Sequence, residues 1–180
     1  SIHVRSTFSE NPGTKIVSED DINYKKVITG IAYSKNNAKV SIVGVIDKPG
    51  VAADIFEPIG KNNINIDMVI QNTSLDGKTA NITFTIKQED LKKTINILEK
   101  NKEMINYKRI THDGKLAKIS IIGAGMIASP GVTHKMFRSL ASEKINILAI
   151  STSEIKISVL VQEDLTQKAV KALHKTFELN

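Results

Sequence analysis

A chain of 180 residues, 41% hydrophobic and 24% charged, can bury one good core or two modest ones. It has no cysteine, which excludes a disulfide framework, a thiolate nucleophile and any Cys-bearing metal site and suits a reducing cytosol. The formal charge of +6 comes from lysines scattered along the chain, so it reads as a solvated surface rather than a nucleic-acid patch. No apolar run is long enough to span a bilayer and no signal-peptide pattern opens the chain, so the expected location is cytoplasmic, away from membranes.

In chain order, residues 27–33 predict a strand, and residues 40–45 a second, β-branched one. A loop over 47–50 follows, then a helix over 51–62, with Pro49 setting the backbone for its start. Pro58 lies inside that helix and predicts a kink or an early end near Glu57. Strands are predicted over 64–70 and 79–86, joined through the turn Ser74-Leu75-Asp76-Gly77. Glu89-Asp90-Leu91 opens a helix with acids at its positive end, and residues 105–110 predict the strand after it. The pattern then recurs: strand 119–122, loop 125–131, helix 132–144 (with Ser139 where Pro58 stood, hence straight), strands 145–150 and 155–161, and a helix opened by Glu163-Asp164-Leu165.

The recurrence is an internal repeat in the residues themselves. Ala38-Lys39-Val40-Ser41-Ile42-Val43-Gly44 returns as Ala117-Lys118-Ile119-Ser120-Ile121-Ile122-Gly123. Pro-Gly-Val, a lone Phe (Phe56, Phe137), Ile-Asn-Ile and Gln-Glu-Asp-Leu follow in both copies. Two copies are too few for a solenoid and imply two similar small domains with two similar sites. The first copy completes β-α-β-β-α-β, whereas the second lacks its last strand. The unassigned strand 27–33 fills that gap. The fold class is therefore α+β, two ferredoxin-like units with the first (residues 38–113) inserted into the second (27–34 plus 116–180).

Gly123-Ala124-Gly125-Met126-Ile127-Ala128 fits a loose dinucleotide fingerprint, but Pro130 and Gly131 keep the loop running where the helix should begin. The glycines read as loop formers at a close backbone approach. Phe84 is the only aromatic on either third strand, which argues against RNA on the sheet. His3, His112, His134 and His174 lack metal-ligand spacing, and neither a nucleophile elbow nor a phosphate-cradling loop is present, so no catalytic or metal residue is assigned.

What remains is Asp47-Lys48-Pro49-Gly50-Val51-Ala52. Amides at a helix N-terminus hold a carboxylate, and Asp47 meets an ammonium group. Such a pair suits a free amino acid, with Asn65, Asp67 and Gln71 on the neighbouring strand as further polar contacts.

With these residues the chain resembles the ACT-domain regulatory region of bacterial aspartate kinase. The stretches that carry the likeness are Asp47-Lys48-Pro49-Gly50, the run from Ile64 to Asn72, Gly123-Ala124-Gly125-Met126, Pro130-Gly131-Val132-Thr133 and the run from Ser151 to Leu160. Residues 1–20 look like the end of that family's kinase domain and its linker. The resemblance implies two ACT domains that pair with those of a partner chain as a homodimer, and a kinase (alpha) subunit or domain as partner. It implies feedback control of aspartate phosphorylation by threonine, with lysine as second effector. ATP and magnesium would belong to the kinase domain, with no cofactor on this chain, which would be a separately made regulatory subunit or a piece of a longer enzyme. Carried over residue by residue, the effector contacts are Asp47, Lys48, Pro49, Gly50, Val51, Ala52, Asn65, Ile66, Asp67 and Gln71 in the first unit. In the second they are Val132, Thr133, Asn146, Ile147, Thr152 and Ser153. Pro58, Ile127 and Ala128 depart from the family pattern. The rival reading is a structural dimerisation module whose interface sites stay empty.

Overall fold

Ala38, Val40 and Ile42 alternate with Lys39, Ser41 and Val43, and Ala117, Ile119 and Ile121 alternate with Lys118, Ser120 and Ile122. In extended backbone each stretch turns one apolar face to a core. In the computed structural model, which describes residues 2–16, 27–75 and 77–179, both stretches belong to strands longer than the sequence predicts. The chain runs β1 (Ile2–Val4), β2 (Thr14–Ile16), β3 (Gly30–Ile46), α1 (Val51–Lys61), β4 (Val69–Thr73), β5 (Thr79–Lys87), α2 (Leu91–Lys100) and α3 (Lys102–Ile105). It continues with β6 (Arg109–Ile122), α4 (Val132–Ser142), β7 (Ala149–Thr152), β8 (Lys156–Gln162) and α5 (Thr166–Thr176). Short 3-10 turns open α2 and α5 at Gln88–Asp90 and Glu163–Leu165.

β1 and β2 form a separate ribbon, and the other strands make one sheet in the order β4-β5-β3-β6-β8-β7. The strands predicted over 27–33 and 40–45 are one strand of 17 residues, β3. Its first part pairs with the end of β6 (Gly30 opposite Ile122, Ser34 opposite Lys118), and its last part with β5 and the start of β6. Each half of the sheet thus has the ferredoxin-like strand arrangement, and the second half is completed by the strand that precedes the first. The two halves share β3 and β6 instead of standing as separate sheets. α1 and α2 cover the first half over Val40, Ile42, Ile55, Ile59, Phe84 and Leu98; α4 and α5 cover the second over Ile119, Ile121, Met136, Leu140, Val159 and Leu173.

Several predicted boundaries move. The strand expected over 64–70 begins at Val69, because the amides of Asp67 and Met68 both bond to Thr85, one to its carbonyl and one to its Oγ1, which breaks the regular ladder. The strand of the second copy likewise begins at Ala149. Residues 105–108 are not strand: Ile105 ends α3, and Asn106 turns the chain at φ 54° before pairing starts. Nor does Pro58 end α1, which runs 11 residues like α4. Stopping at Glu57 would uncover Ile59, whose burial is worth about 1.5–3 kcal/mol, comparable with the roughly 3 kcal/mol cost of an interior proline. The Asn62 side-chain amide also donates to the Pro58 carbonyl (2.9 Å). In the predicted turn before β5, Gly77 takes φ 66° and its N–H bonds to Ser74, while Asp76 lies outside the described residues, as do residues 17–20 of the predicted linker.

Gly123, directly after β6, stands at a close backbone approach. A Cβ on Gly123 would lie 2.1 Å from the Val27 carbonyl oxygen, so only glycine lets the two segments touch.

Each shared strand breaks midway, where β3 and β6 pair with one another, and these two breaks are alike; β3 bulges again between Val43 and Val45, where Gly44 takes φ 72°. Asn36 (φ 58°) and Lys115 (φ 54°) leave the extended region there. The Asn36 N–H donates to Glu163 Oε2 (2.7 Å) and the Lys115 N–H to Gln88 Oε1 (2.8 Å). Each acceptor is the first residue of a 3-10 turn, so Glu163 stands where Gln88 does, and the repeated Gln-Glu-Asp-Leu is one residue out of structural register. A backbone amide freed by the irregular ladder is thereby given a partner.

On the sheet face away from the helices, Ser41 bonds Thr83 (2.8 Å) and Ser120 bonds Ser158 (2.7 Å), hydroxyl pairs directly across the strands. Between the halves lies a third cluster, Met68, Leu116 and Leu160, edged by Ile70, Leu148 and Ala149. Lys118 forms an ion pair with Asp67 at its margin.

Replacing Met68 by Ala should lower unfolding free energy by about 2–5 kcal/mol, read from urea titration; a change below about 0.5 kcal/mol would show that this cluster does not hold the halves together. Glu163→Ala and Gln88→Ala should each speed hydrogen exchange at one amide, Asn36 or Lys115 respectively, by about 2- to 10-fold, as expected for losing roughly 1 kcal/mol. Unaltered exchange at both amides would mean that these side chains do not restrain the breaks.

Candidate functional site

Four residues, Asp47, Lys48, Pro49 and Gly50, carry the chain from the end of β3 into α1. Gly50 adopts φ 92°, and Gly131, at the same place before α4, φ 95°. A Cβ on either would meet nothing within 4 Å, so glycine answers a backbone need, where another residue costs about 1–2 kcal/mol. Neither helix has a side chain capping its N-terminus. In α1 the Val51 N–H turns back to the Lys48 carbonyl (3.3 Å) and the first intrahelical bond runs from Asp54 N–H to Gly50 (3.0 Å). The amides of Ala52 and Ala53 therefore have no acceptor within the helix, and the dipole behind them favours an anion.

Asp47 is tied to the β4–β5 hairpin. Its N–H bonds to the Lys78 carbonyl (3.0 Å) and its carboxylate accepts from the Thr73 hydroxyl (3.2 Å) while remaining exposed. Gln71 stands opposite Ile82, a residue of the helix-side core, so alternation puts Gln71 and Thr73 on the same face as α1. Thr73 was absent from the sequence-derived set; its place two residues after Gln71 was the available signal. Val51 is buried and offers the site only its backbone. Asn65 is exposed just before β4, and Ile66 packs against the first core. Asp67 is not brought to the turn: its carboxylate faces Lys118 of the other half.

In the second half, Val132, Thr133, Thr152 and Ser153 line one open cavity of about 460 Å³ together with Pro130 and Gly131. Thr152 faces Ile157 as Gln71 faces Ile82, so the two sites correspond. Met126, Ile127 and Ser129 also line it, brought in by a loop that is longer than its counterpart and folds back through a 3-10 turn at Ala124–Met126; Glu154 lines it from the β7–β8 connection, directly after Ser153. Asn146 and Ile147 stay outside the lining; Asn146 is exposed and Ile147 packs on the second core.

Perturbed titrations lie elsewhere. The Lys61 ammonium, hydrogen-bonded to Glu57, holds that carboxyl below its ordinary range, and burial, helped by Glu99, pushes the Tyr107 phenol up. Among the described residues no three His, Asp or Glu side chains gather where a metal ion would sit. No helix among them is long and apolar enough to cross a membrane. The geometry offers donors for a carboxylate and an acceptor for an ammonium, which is binding chemistry.

Residues 40–101 and 119–177 match the ACT domain family. The chain is 43% identical over 181 residues to an aspartokinase of Corynebacterium glutamicum and 42% identical over 180 residues to an aspartate kinase of Pseudomonas putida. Each alignment takes in 99% of this chain, which spans 43% and 44% of those relatives' length. Among solved structures, one of aspartokinase alpha and beta subunits superposes with TM-score 0.77 at 44% identity, covering 84% of this chain and 99% of the other. The ligand-free regulatory subunit of aspartate kinase from Thermus thermophilus gives 0.76 at 32% identity with the same coverage. A duplicated unit, the shared strands and two glycine-opened helix starts all coincide with that likeness, and the chain belongs to the ACT domain family as a regulatory region of the aspartokinase kind.

Proposed function

We propose that this chain is the effector sensor of an aspartate kinase, binding threonine, with lysine as a second effector, to restrain ATP-dependent phosphorylation of aspartate in the cytoplasm. The observation that carries the reading is the first-half turn, where one short connection from β3 into α1 carries both the exposed Asp47 carboxylate and the uncapped amides of Ala52 and Ala53. An amino-acid carboxylate takes the amides, its ammonium takes Asp47, and a small side chain reaches Thr73 and Gln71. In the second cavity Glu154 is the carboxylate that an effector ammonium would meet.

Pairing of two chains through ACT units is supported by the sheet edges. The outermost strands, β4 and β7, leave Val69 51% and Ile150 40% exposed, and such edges are commonly covered in a native assembly. An effector held at such an edge favours one pairing of units and moves the part of the linker from Thr7 to Ile16, disfavouring the active arrangement of a kinase subunit or domain. Coupling of about 1–3 kcal/mol changes activity roughly 5- to 150-fold. ATP and magnesium would act in that catalytic part.

Titration calorimetry with threonine, lysine and both, run alongside a size measurement, is the test. Threonine should bind and tighten the dimer, and Asp47→Ala should weaken it about tenfold, the loss of roughly one charge-assisted hydrogen bond, without changing the thermal midpoint. Unaltered affinity in that variant would remove the assignment of Asp47, and absence of heat from a folded dimer with either amino acid would favour a structural dimerisation module.

A further inference from the structure

On its outward side α4 carries His134, Lys135 and Arg138; with Ser139, Ser142 and Thr176 from the end of α5 they line an open groove of about 390 Å³. No carboxylate is in that lining. Among the described residues the four ion pairs join other side chains, so none of these three basic groups is neutralised by an acid. Lys135 lies 5.4 Å from the centre of the Phe177 ring, a contact that positions the ammonium and leaves its full charge. Nor does the negative end of α5 account for the cations, because the carbonyls of Leu173, His174 and Lys175 already accept the N–H groups of Phe177, Leu179 and Glu178. Thr176 donates to Ser139 Oγ (2.9 Å), which leaves the Ser139 proton available to the groove.

The repeat supplies an internal control. The counterparts of His134, Lys135, Arg138 and Ser139 in α1 are Ala53, Asp54, Glu57 and Pro58, at the same offsets from Pro-Gly-Val. Both helices have the same length and bury the same positions, Ile55 with Met136 and Ile59 with Leu140. The fold is thus indifferent to charge here, and two cations, Lys135 and Arg138, without an acid between them repel one another unless an anion joins them. A guanidinium fork, an ammonium, an imidazole and a hydroxyl donor within one groove match a tetrahedral oxyanion bearing more than one charge.

We propose that the α4–α5 groove binds a phosphate-class oxyanion through Arg138, Lys135 and His134, with Ser139 as hydroxyl donor. It shares no residue with the cavity at the start of α4, so it is a separate site from the one argued above for amino acids.

The test is calorimetric titration with inorganic phosphate, tripolyphosphate and ATP without magnesium, at low and at physiological salt. Tripolyphosphate should bind saturably, and Lys135→Gln with Arg138→Gln, which keeps much of the side-chain stems, should weaken it by about tenfold or more. Lys92→Gln with Lys100→Gln on α2, equally exposed, should leave binding unchanged. ATP binding tighter than tripolyphosphate would identify a nucleotide as the source of the phosphate; equal binding would identify the phosphate chain alone. Either result supports the site. Heat that never saturates, or an equal loss in both double variants, would mean diffuse attraction to a basic chain and would overturn it. Threonine titration of the groove variant should be unaltered, so failure here is distinct from failure of the effector reading.

Discussion

Antiparallel pairing of β3 with β6, from Gly30 opposite Ile122 to Val43 opposite Arg109, is the constraint on which the rest of the sheet depends. Each strand supplies a central position in one half and an edge position in the other, so removing either would strip both halves of a hydrogen-bonded neighbour. A ferredoxin-like unit with one strand missing leaves unpaired backbone and an uncovered apolar face. Sharing two strands solves both problems at once, and it ties the halves more firmly than a flexible linker would. The breaks at Asn36 and Lys115 are where that continuous pairing has to yield, and the oxygens of Glu163 and Gln88 satisfy the amides that yielding releases.

Duplication has kept the backbone and let the surfaces diverge. Gly50 and Gly131 take nearly the same positive φ, and each opens a helix whose first turn is uncapped. Around that common frame Ala52 is replaced by Thr133, Gln71 by Thr152, and the acidic outward face of α1 by the basic face of α4. Asp67 and Leu148 hold corresponding places before the outer strands, yet one forms an ion pair with Lys118 and the other packs in the cluster between the halves. Equivalent positions therefore have a common backbone and different chemistry.

Much of the fold was legible because its signals are local. β-branched alternation marked the strands, Pro-Gly-Val marked both helix starts, and the repeat showed that two units exist. The missing strand of the second copy was enough to infer the insertion. Less legible were the places where a distant contact outweighs local preference. Pro58 stays helical because Ile55 and Ile59 on either side of it are fully buried. Residues 105–108 leave the extended region because Ile105 and Tyr107 turn into the first core. For the candidate site, Asp47 through Ala52 were proposed from residue type and spacing, since a turn and helix start lie within six successive residues. Thr73 and Glu154 were not named, although each lies close in sequence to a named residue, Gln71 and Ser153, because what brings them in is the pairing of the outer strands and the turn between them.

The sequence by itself determined which residues face a core, where the helices begin, that two like units are present and that each opens a helix on a glycine. These follow from side-chain periodicity and from backbone conformations that few residues tolerate. Only the tertiary structure decided that the units share two strands, that Asp67 faces Lys118 of the other half and not the turn before α1, and that one cavity gains a carboxylate from Glu154. Those outcomes depend on which strand lies beside which and on the exact residue opposite each position, and a one-residue change of register alters them without altering any local preference.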